Sequence, residues 1–246
     1  MKQHYENYTT EDHKVWELLF ERQVRNLQGK VSKTYLDGIS KVGFVRERIP
    51  EFTLTEKYFE AHTKWKLHVV PGIIPVEPFF ELLSQKKFSA TTWLRKMHQL
   101  DYIEEPDMFH DVFGHIPLLS DEAYSNFVEG LSHIALKHIA DHSIMEMLGR
   151  IYWFTLEFGL IREERKLKIY GAGIISSVGE TEHALSDKPV RLSFDVKEIM
   201  FTPFQNDKIQ DKYFVIDSYD QLFHSLEKIE SVIDECLLAS DKTRSK

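Results

Sequence analysis

The stretch EPDMFHDVFGHIPLL, residues 105–119, decides how this chain is read. It carries His110 and His115, and an acidic residue follows at Glu157 inside IYWFTLEFGL, residues 151–160. Two imidazoles and one carboxylate are the ligand set of a non-heme Fe(II) site that keeps open positions for oxygen and substrate. The spacing sets a geometric condition. Residues five apart on an unbroken α-helix stand ~140° apart around its axis, at about 100° per residue, so His110 and His115 would not chelate from one face. Gly114 before the second histidine and Pro117 after it mark where a helix can end. The expectation is a helix terminus at which His115 swings toward His110.

Composition narrows the classes of function. At 246 residues the chain is long enough for one large core. Its 42% hydrophobic and 13% aromatic content are those of a folded protein and not of a disordered one. No apolar run reaches the length of a membrane span, and the polar start MKQHYENYTTEDHK is no secretory signal. One cysteine, Cys236, excludes an internal disulfide framework and fits a reducing cytoplasm. A net charge of −8 disfavours a nucleic-acid surface, which needs concentrated Lys and Arg.

Periodicity predicts mostly helix. Thr10-Glu-Asp opens a helix running to about Gln28, with Val15, Leu18, Leu19 and Arg22 at helical spacing. A short helix is expected over Val31–Ile39, and a third capped by Thr53 or Thr55. VVPGIIPVEPFF, residues 69–80, reads as a surface-crossing loop entering a helix at Glu77–Gln85. Ser120-Asp-Glu starts another helix, with SHIALKHIADH as its continuation. The clearest long helix spans Ile144–Leu160, with Met147, Ile151, Phe154 and Phe158 as its buried stripe. Strand character is confined to the last third, in RLSFDV, KYFVID and KIYGAG. The expectation is one mainly α domain, residues 1–246, with a small β element. It divides into an N-terminal helical extension (1–50), a core (69–222) and a C-terminal helix and tail (223–246).

Single residues have ordinary readings beside the functional ones. Glu157 lies among Trp153, Phe154, Leu156, Phe158 and Leu160, where an ionised carboxylate is costly unless paired or metal-bound; the ordinary reading is an exposed glutamate on a helix's polar side. Trp153, four residues earlier, is ~40° around an α-helix from Glu157 and is expected to line the same cavity. Asp107 and Asp111 are placed to orient an imidazole or hold a polar ligand. His133, His138 and His142 lack the glutamate of an HExxH motif and a third ligand, so they read as a solvated helix face. GAG in YGAGIISS, residues 170–177, is no dinucleotide fingerprint, because Ser176 stands where a third glycine is required.

Four segments occur in the order found in the pterin-dependent aromatic amino acid hydroxylases: EPDMFHDVFGHIPLL, IYWFTLEFGLI, YGAGIISS and KYFVIDSYDQL. The resemblance runs from about Val69 to Leu222 and is greatest to the short bacterial phenylalanine 4-monooxygenases. It implies a helical basket around one mononuclear iron held by His110, His115 and Glu157. It also implies a tetrahydropterin (tetrahydrobiopterin or a related reduced pterin), with O2 as co-substrate. Arg95 would clamp the substrate carboxylate by two parallel hydrogen bonds, with Trp153, Gly173 and Ser176 beside the substrate. Phe79 would stack on the pterin, with Gly72, Ile74, Asp111 and Tyr152 around it. The implied reaction is phenylalanine to tyrosine, in the cytoplasm, with pterin-recycling enzymes as partners. No segment resembles the regulatory domain or tetramerising tail of longer members, so a monomer or small oligomer is expected.

Alternatives stand beside this reading. They are tyrosine or tryptophan hydroxylation, a zinc hydrolase using the same three ligands, and a metal-bound interaction domain without a reaction. Asn206, in a loop expected to close over the site, is neither the aliphatic nor the acidic residue expected of phenylalanine- or tyrosine-preferring relatives.

Overall fold

Thr9 starts the first helix with a reciprocal cap: its side chain accepts from the Asp12 N–H while the Asp12 carboxylate accepts from the Thr9 N–H. Helix α1 (Thr10–Leu27) then buries Val15, Trp16, Leu19, Phe20, Gln23 and Leu27, so Trp16 and Phe20 complete the stripe in place of Leu18 and Arg22. Ser32 caps α2 (Lys33–Lys41), while Glu51, and neither threonine, precedes α3 (Phe52–Ala61). The computed structural model that gives these elements describes residues 1–101 and 103–244. The last two residues of the expected tail lie outside the described residues.

Strands β1 (Lys66–Val69) and β2 (Lys87–Ala90) pair in parallel across α4 (Val76–Ser84). This corrects the expectation that strands belong to the last third. Each strand is four residues long and begins with lysine, too short for alternation to register. After the segment 109–120 come α5 (Glu122–Lys137), capped by Asp121, and α6 (His142–Tyr152). Helix α5 stops at Lys137, before the expected continuation ends. Beyond α6 follow the hairpin β3 (Leu160–Glu163) and β4 (Lys166–Ile169), then α7 (Ala172–Ile175), α8 (Val178–Ala184), β5 (Val190–Ser193) and α9 (Val196–Phe201). The chain closes with β6 (Lys212–Ile216) and α10 (Tyr219–Arg244). The second sheet has the order β4-β3-β6-β5, antiparallel only at the hairpin. The GAG segment leaves the sheet after Ile169 and opens α7.

The first fifty residues are no appendage. Trp16 packs edge-on against Phe109 with ring centroids 5.7 Å apart, and Phe109 stacks on Phe113 at 4.6 Å and 12°. Phe20 and Tyr35 also meet Phe113, and the Tyr35 hydroxyl donates to the Phe113 carbonyl at 2.6 Å. All these rings are buried; each contributes roughly 1.5–3 kcal/mol by leaving water. Helices α1 and α2 therefore brace the back of the segment that carries both histidines.

The contact of α2 with that segment is tight. A Cβ at Gly38 would stand 2.2 Å from the Pro117 carbonyl oxygen, whereas one at Gly149 in α6 would meet nothing within 4 Å. Gly38→Ala is expected to destabilise the protein by ~1–3 kcal/mol through overpacking. Gly149→Ala is expected to stabilise it by ~0.5–1 kcal/mol through helix propensity. Urea unfolding of both variants checks the opposite signs.

Candidate active site

The two histidines sit on a helix that does not end between them. Residues Phe109–His115 form a π-helical segment, and a second, Trp153–Glu157, continues α6. At the second, the Phe158 N–H donates to the Trp153 carbonyl five residues back, at 2.9 Å. Such a winding brings residue i+5 round to the side of residue i, which the tighter α-helical turn does not. This replaces the expected helix terminus: His110 and His115 meet because the helix is wound wider, and their Nε2 atoms are 3.4 Å apart. It also corrects the expected α-helix to Leu160, whose stripe of Met147, Ile151, Phe154 and Phe158 is nonetheless buried.

Glu157 completes the group. Its Oε1 is 3.2 Å from His115 Nε2 and its Oε2 is 3.7 Å from His110 Nε2. Donor atoms bound at ~2.1 Å in adjacent positions of one ion lie about 3 Å apart, so a small contraction closes this set on a metal. Among the described residues this is the one group of three or more acidic, histidine or cysteine side chains so placed. Burial pushes the Glu157 carboxyl up, but His115, then His110 and the Gly173 backbone N–H, outweigh it and hold the pKa at about 2. A buried carboxylate facing two imidazole Nε2 atoms is a donor set that could hold a cation.

The surroundings fix the ligands. Ser176 Oγ lies 2.9 Å from His110 Nδ1, and an Nδ1–H donated to it leaves Nε2 as the free donor atom. Ser176 is thus placed on the imidazole. His115 Nδ1 is buried without a hydrogen-bond partner among the described residues, and the Phe88 ring lies 5.0 Å from that imidazole. Gly171 and Gly173 press against the backbone of Glu157: added Cβ atoms would come within 2.3 and 3.1 Å of its carbonyl oxygen. The GAG pattern serves this close approach, which sets the carboxylate's height.

A cavity of roughly 170 Å3 opens beside the three ligands. Gly72, Ile74, Phe79, Asp111 and Tyr152 all line it, so the segment expected to be a surface loop forms one wall. Phe79 and Tyr152 meet edge to face at 5.5 Å. Tyr152 lines the cavity in the place expected for Trp153. Trp153 is not among the lining residues. Its ring packs on Phe158 at 4.5 Å and stacks on Phe204 at 4.3 Å, on the side of the segment 202–211. Asn206 in that segment is exposed.

Asp111 faces the cavity with its carboxyl pKa raised by burial, against the lowering influence of His110 and the Thr91 hydrogen bonds. Those bonds come from the Thr91 N–H and hydroxyl, at 2.8 and 2.9 Å. Thr91 escaped the sequence reading because SATT at 89–92 has no distinguishing pattern.

Arg95 is buried and held by Asp107 through two bonds of 2.9 Å, from Nε to Oδ2 and from Nη2 to Oδ1. Asp107 Oδ1 also accepts from the His110 N–H at 3.2 Å. Asp107 therefore orients His110 through its backbone and leaves the imidazole to Ser176. His133 and His142 are exposed and His138 is partly so, with no part in the site.

Known proteins are similar to this chain over most of its length. The family described as biopterin-dependent aromatic amino acid hydroxylase matches residues 4–239. Phenylalanine-4-hydroxylase of Ralstonia nicotianae is 44% identical over 91% of this chain and 71% of its own length. That of Pseudomonas aeruginosa is 38% identical over 94% and 88%. A crystal structure of Chromobacterium violaceum phenylalanine hydroxylase with iron(III) and 7,8-dihydrobiopterin bound superposes with a TM-score of 0.89. It is 39% identical, over 96% of this chain and 86% of that one. With its ligand set, glycine approach and cavity wall all in place, the chain belongs to the biopterin-dependent aromatic amino acid hydroxylases.

Proposed function

We propose that this protein is a phenylalanine 4-monooxygenase that converts L-phenylalanine to L-tyrosine with O2 and a tetrahydropterin at an Fe(II) centre. The observation that carries the reading is the convergence of His110 Nε2, His115 Nε2 and a Glu157 oxygen at the end of a cavity lined by Phe79 and Tyr152. The relatives' names support phenylalanine as the substrate, and the iron and dihydrobiopterin in the Chromobacterium violaceum structure support the cofactors.

His110, His115 and Glu157 would hold the iron by one face and leave the opposite face open. Bound there, iron and a reduced pterin supply the oxygen activation and the two electrons that ring hydroxylation requires. The chain's own residues position the reactants. Phe79 and Tyr152 offer aromatic surface to a flat pterin, while Gly72 and Ile74 bring backbone groups to its edge and Asp111 a buried polar group. Asp107 takes Nε and Nη2 of Arg95, and Nη1 lies 3.5 Å from the Leu100 carbonyl oxygen, so a substrate carboxylate would be met by the remaining N–H groups of the guanidinium. Trp153 and Phe158 form the apolar wall for the ring and keep water out. An enzyme returning the oxidised pterin to its reduced form is the expected functional partner, and the cytoplasm the expected compartment. No helix among the described residues is long and apolar enough to cross a membrane.

Incubation of the purified protein with Fe(II), a tetrahydropterin, air and each aromatic amino acid is expected to give tyrosine from phenylalanine as the fastest reaction. Faster turnover of tyrosine or tryptophan, or iron binding without pterin oxidation, overturns the proposal. Alanine at His110, His115 or Glu157 is expected to abolish iron binding and leave helical circular dichroism intact. Ser176→Ala is expected to weaken iron affinity by roughly 10–100-fold, as loss of an outer hydrogen bond to a ligating imidazole does. Metal titration of the variants measures this.

Arg95→Lys keeps the charge but loses the planar fork. Apparent phenylalanine affinity is expected to fall by ~1–3 kcal/mol, the range of a charged hydrogen bond, with iron content unchanged. Iron loss with substrate affinity preserved would show that Arg95 serves the metal and not the substrate.

A further inference from the structure

Segment 202–211 crosses from α9 to β6 without regular structure, and residues 203–209 are exposed. Gln210, next to them, is buried at 6% exposed, and every polar atom of its amide is used. Its Oε1 accepts from Trp153 Nε1 at 3.0 Å, and its Nε2 donates to the carbonyl oxygens of Gln205 and Lys208, each at 2.8 Å. Its backbone N–H donates to Glu180 Oε1 at 3.0 Å, and Glu180 Oε2 in turn accepts from the Tyr213 hydroxyl at 2.5 Å. Phe204, from the same segment, lies on the Trp153 indole with 15° between the ring planes.

This arrangement demands an amide. One acceptor must meet the indole N–H while two donors meet two carbonyls. A glutamate would set its second oxygen against those carbonyls, and a leucine would remove the partner of the part-buried indole N–H and of both carbonyls. Both in-plane and out-of-plane positions of the indole are therefore set from segment 202–211: Gln210 holds its edge and Phe204 its face. Trp153 also opens the π segment that ends in Glu157, and it packs on Phe158, whose ring abuts Gly173.

We infer that Gln210 is a positioning residue that latches segment 202–211 onto Trp153 and so determines which aromatic ring the site accepts. The inference rests on the proposed function, in which Trp153 walls the ring of the substrate. With the latch broken the indole turns freely, phenylalanine is held less firmly, and a wider ring gains entry.

The test uses the iron-loaded full chain with Gln210→Leu and the isosteric Gln210→Glu, each alone and combined with Trp153→Phe. Either single variant is expected to raise KM for phenylalanine by about tenfold, the effect of one lost buried hydrogen bond. At the same time kcat and iron content should stay within about twofold, and the tryptophan-to-phenylalanine ratio of kcat/KM should rise. In the Trp153→Phe background the Gln210 substitutions are expected to add nothing, because the indole they act through is gone. Trypsin cleavage after Lys208, mapped by mass spectrometry, is expected to quicken in both single variants. A merely structural role would lower kcat, iron content and stability together, and that pattern overturns the inference. So does a Gln210 effect that persists in full without Trp153, or unchanged cleavage at Lys208 with unchanged KM. The proteolysis arm needs no turnover. Absence of tyrosine formation by the unsubstituted protein thus overturns the proposed function, whereas the Lys208 result judges the latch.

Discussion

Five-residue winding at two places is the constraint on which the site depends. An α-helix would set His115 far around its axis from His110 and would face Trp153 toward Glu157. The wider turn at Phe109–His115 brings the two imidazoles together, and a second such turn at Trp153–Glu157 carries the carboxylate. With Glu157 the two imidazoles give three ligands on one side of a cavity that Tyr152 also lines. Trp153 stands outside that lining and packs on Phe158 and Phe204.

Such turns are rare because the α-helical alternative has better hydrogen bonds, so the surroundings must hold them. For the first, the support is aromatic: Trp16, Phe20, Tyr35, Phe109 and Phe113 form a continuous buried stack, and the Tyr35 hydroxyl takes the Phe113 carbonyl. For the second it is steric, since the glycines of YGAG admit the Glu157 backbone to a distance no side chain allows. Apart from Phe109 and Phe113, these supports come from chain positions far from the ligands. Their residue types, aromatic and glycine, carry no chemistry of their own.

That distribution explains what could be read beforehand. His110, His115 and Glu157 announce themselves because three metal-ligating types in an apolar setting have few other uses, and Gly72, Phe79 and Tyr152 followed from resemblance. The winding was hidden, because a π turn has the composition of any amphipathic helix and differs only in the period that packing imposes. The bracing role of α1 and α2 was hidden for a related reason: apolar periodicity shows that a helix is buried, not what it is buried against. Asp107 was legible as an acidic residue near the histidines, but its partner Arg95 lies twelve positions away in irregular chain. Gln210 gave no signal, since a buried amide in a polar loop resembles its exposed neighbours until its four bonds are seen.

The placement of Asp107 has a thermodynamic corollary. One carboxylate grips the guanidinium of Arg95 and the backbone N–H of His110, so the two ends of the active site draw on a single acceptor. In the proposed function, an amino acid bound at Arg95 would change the field felt at His110, and a metal bound at His110 would change the hold on Arg95. Such coupling is reciprocal: whatever factor an amino acid adds to iron affinity, iron adds to the affinity for the amino acid. Order of assembly then becomes a property of the pair, with each bound partner raising or lowering the occupancy of the other by the same measure.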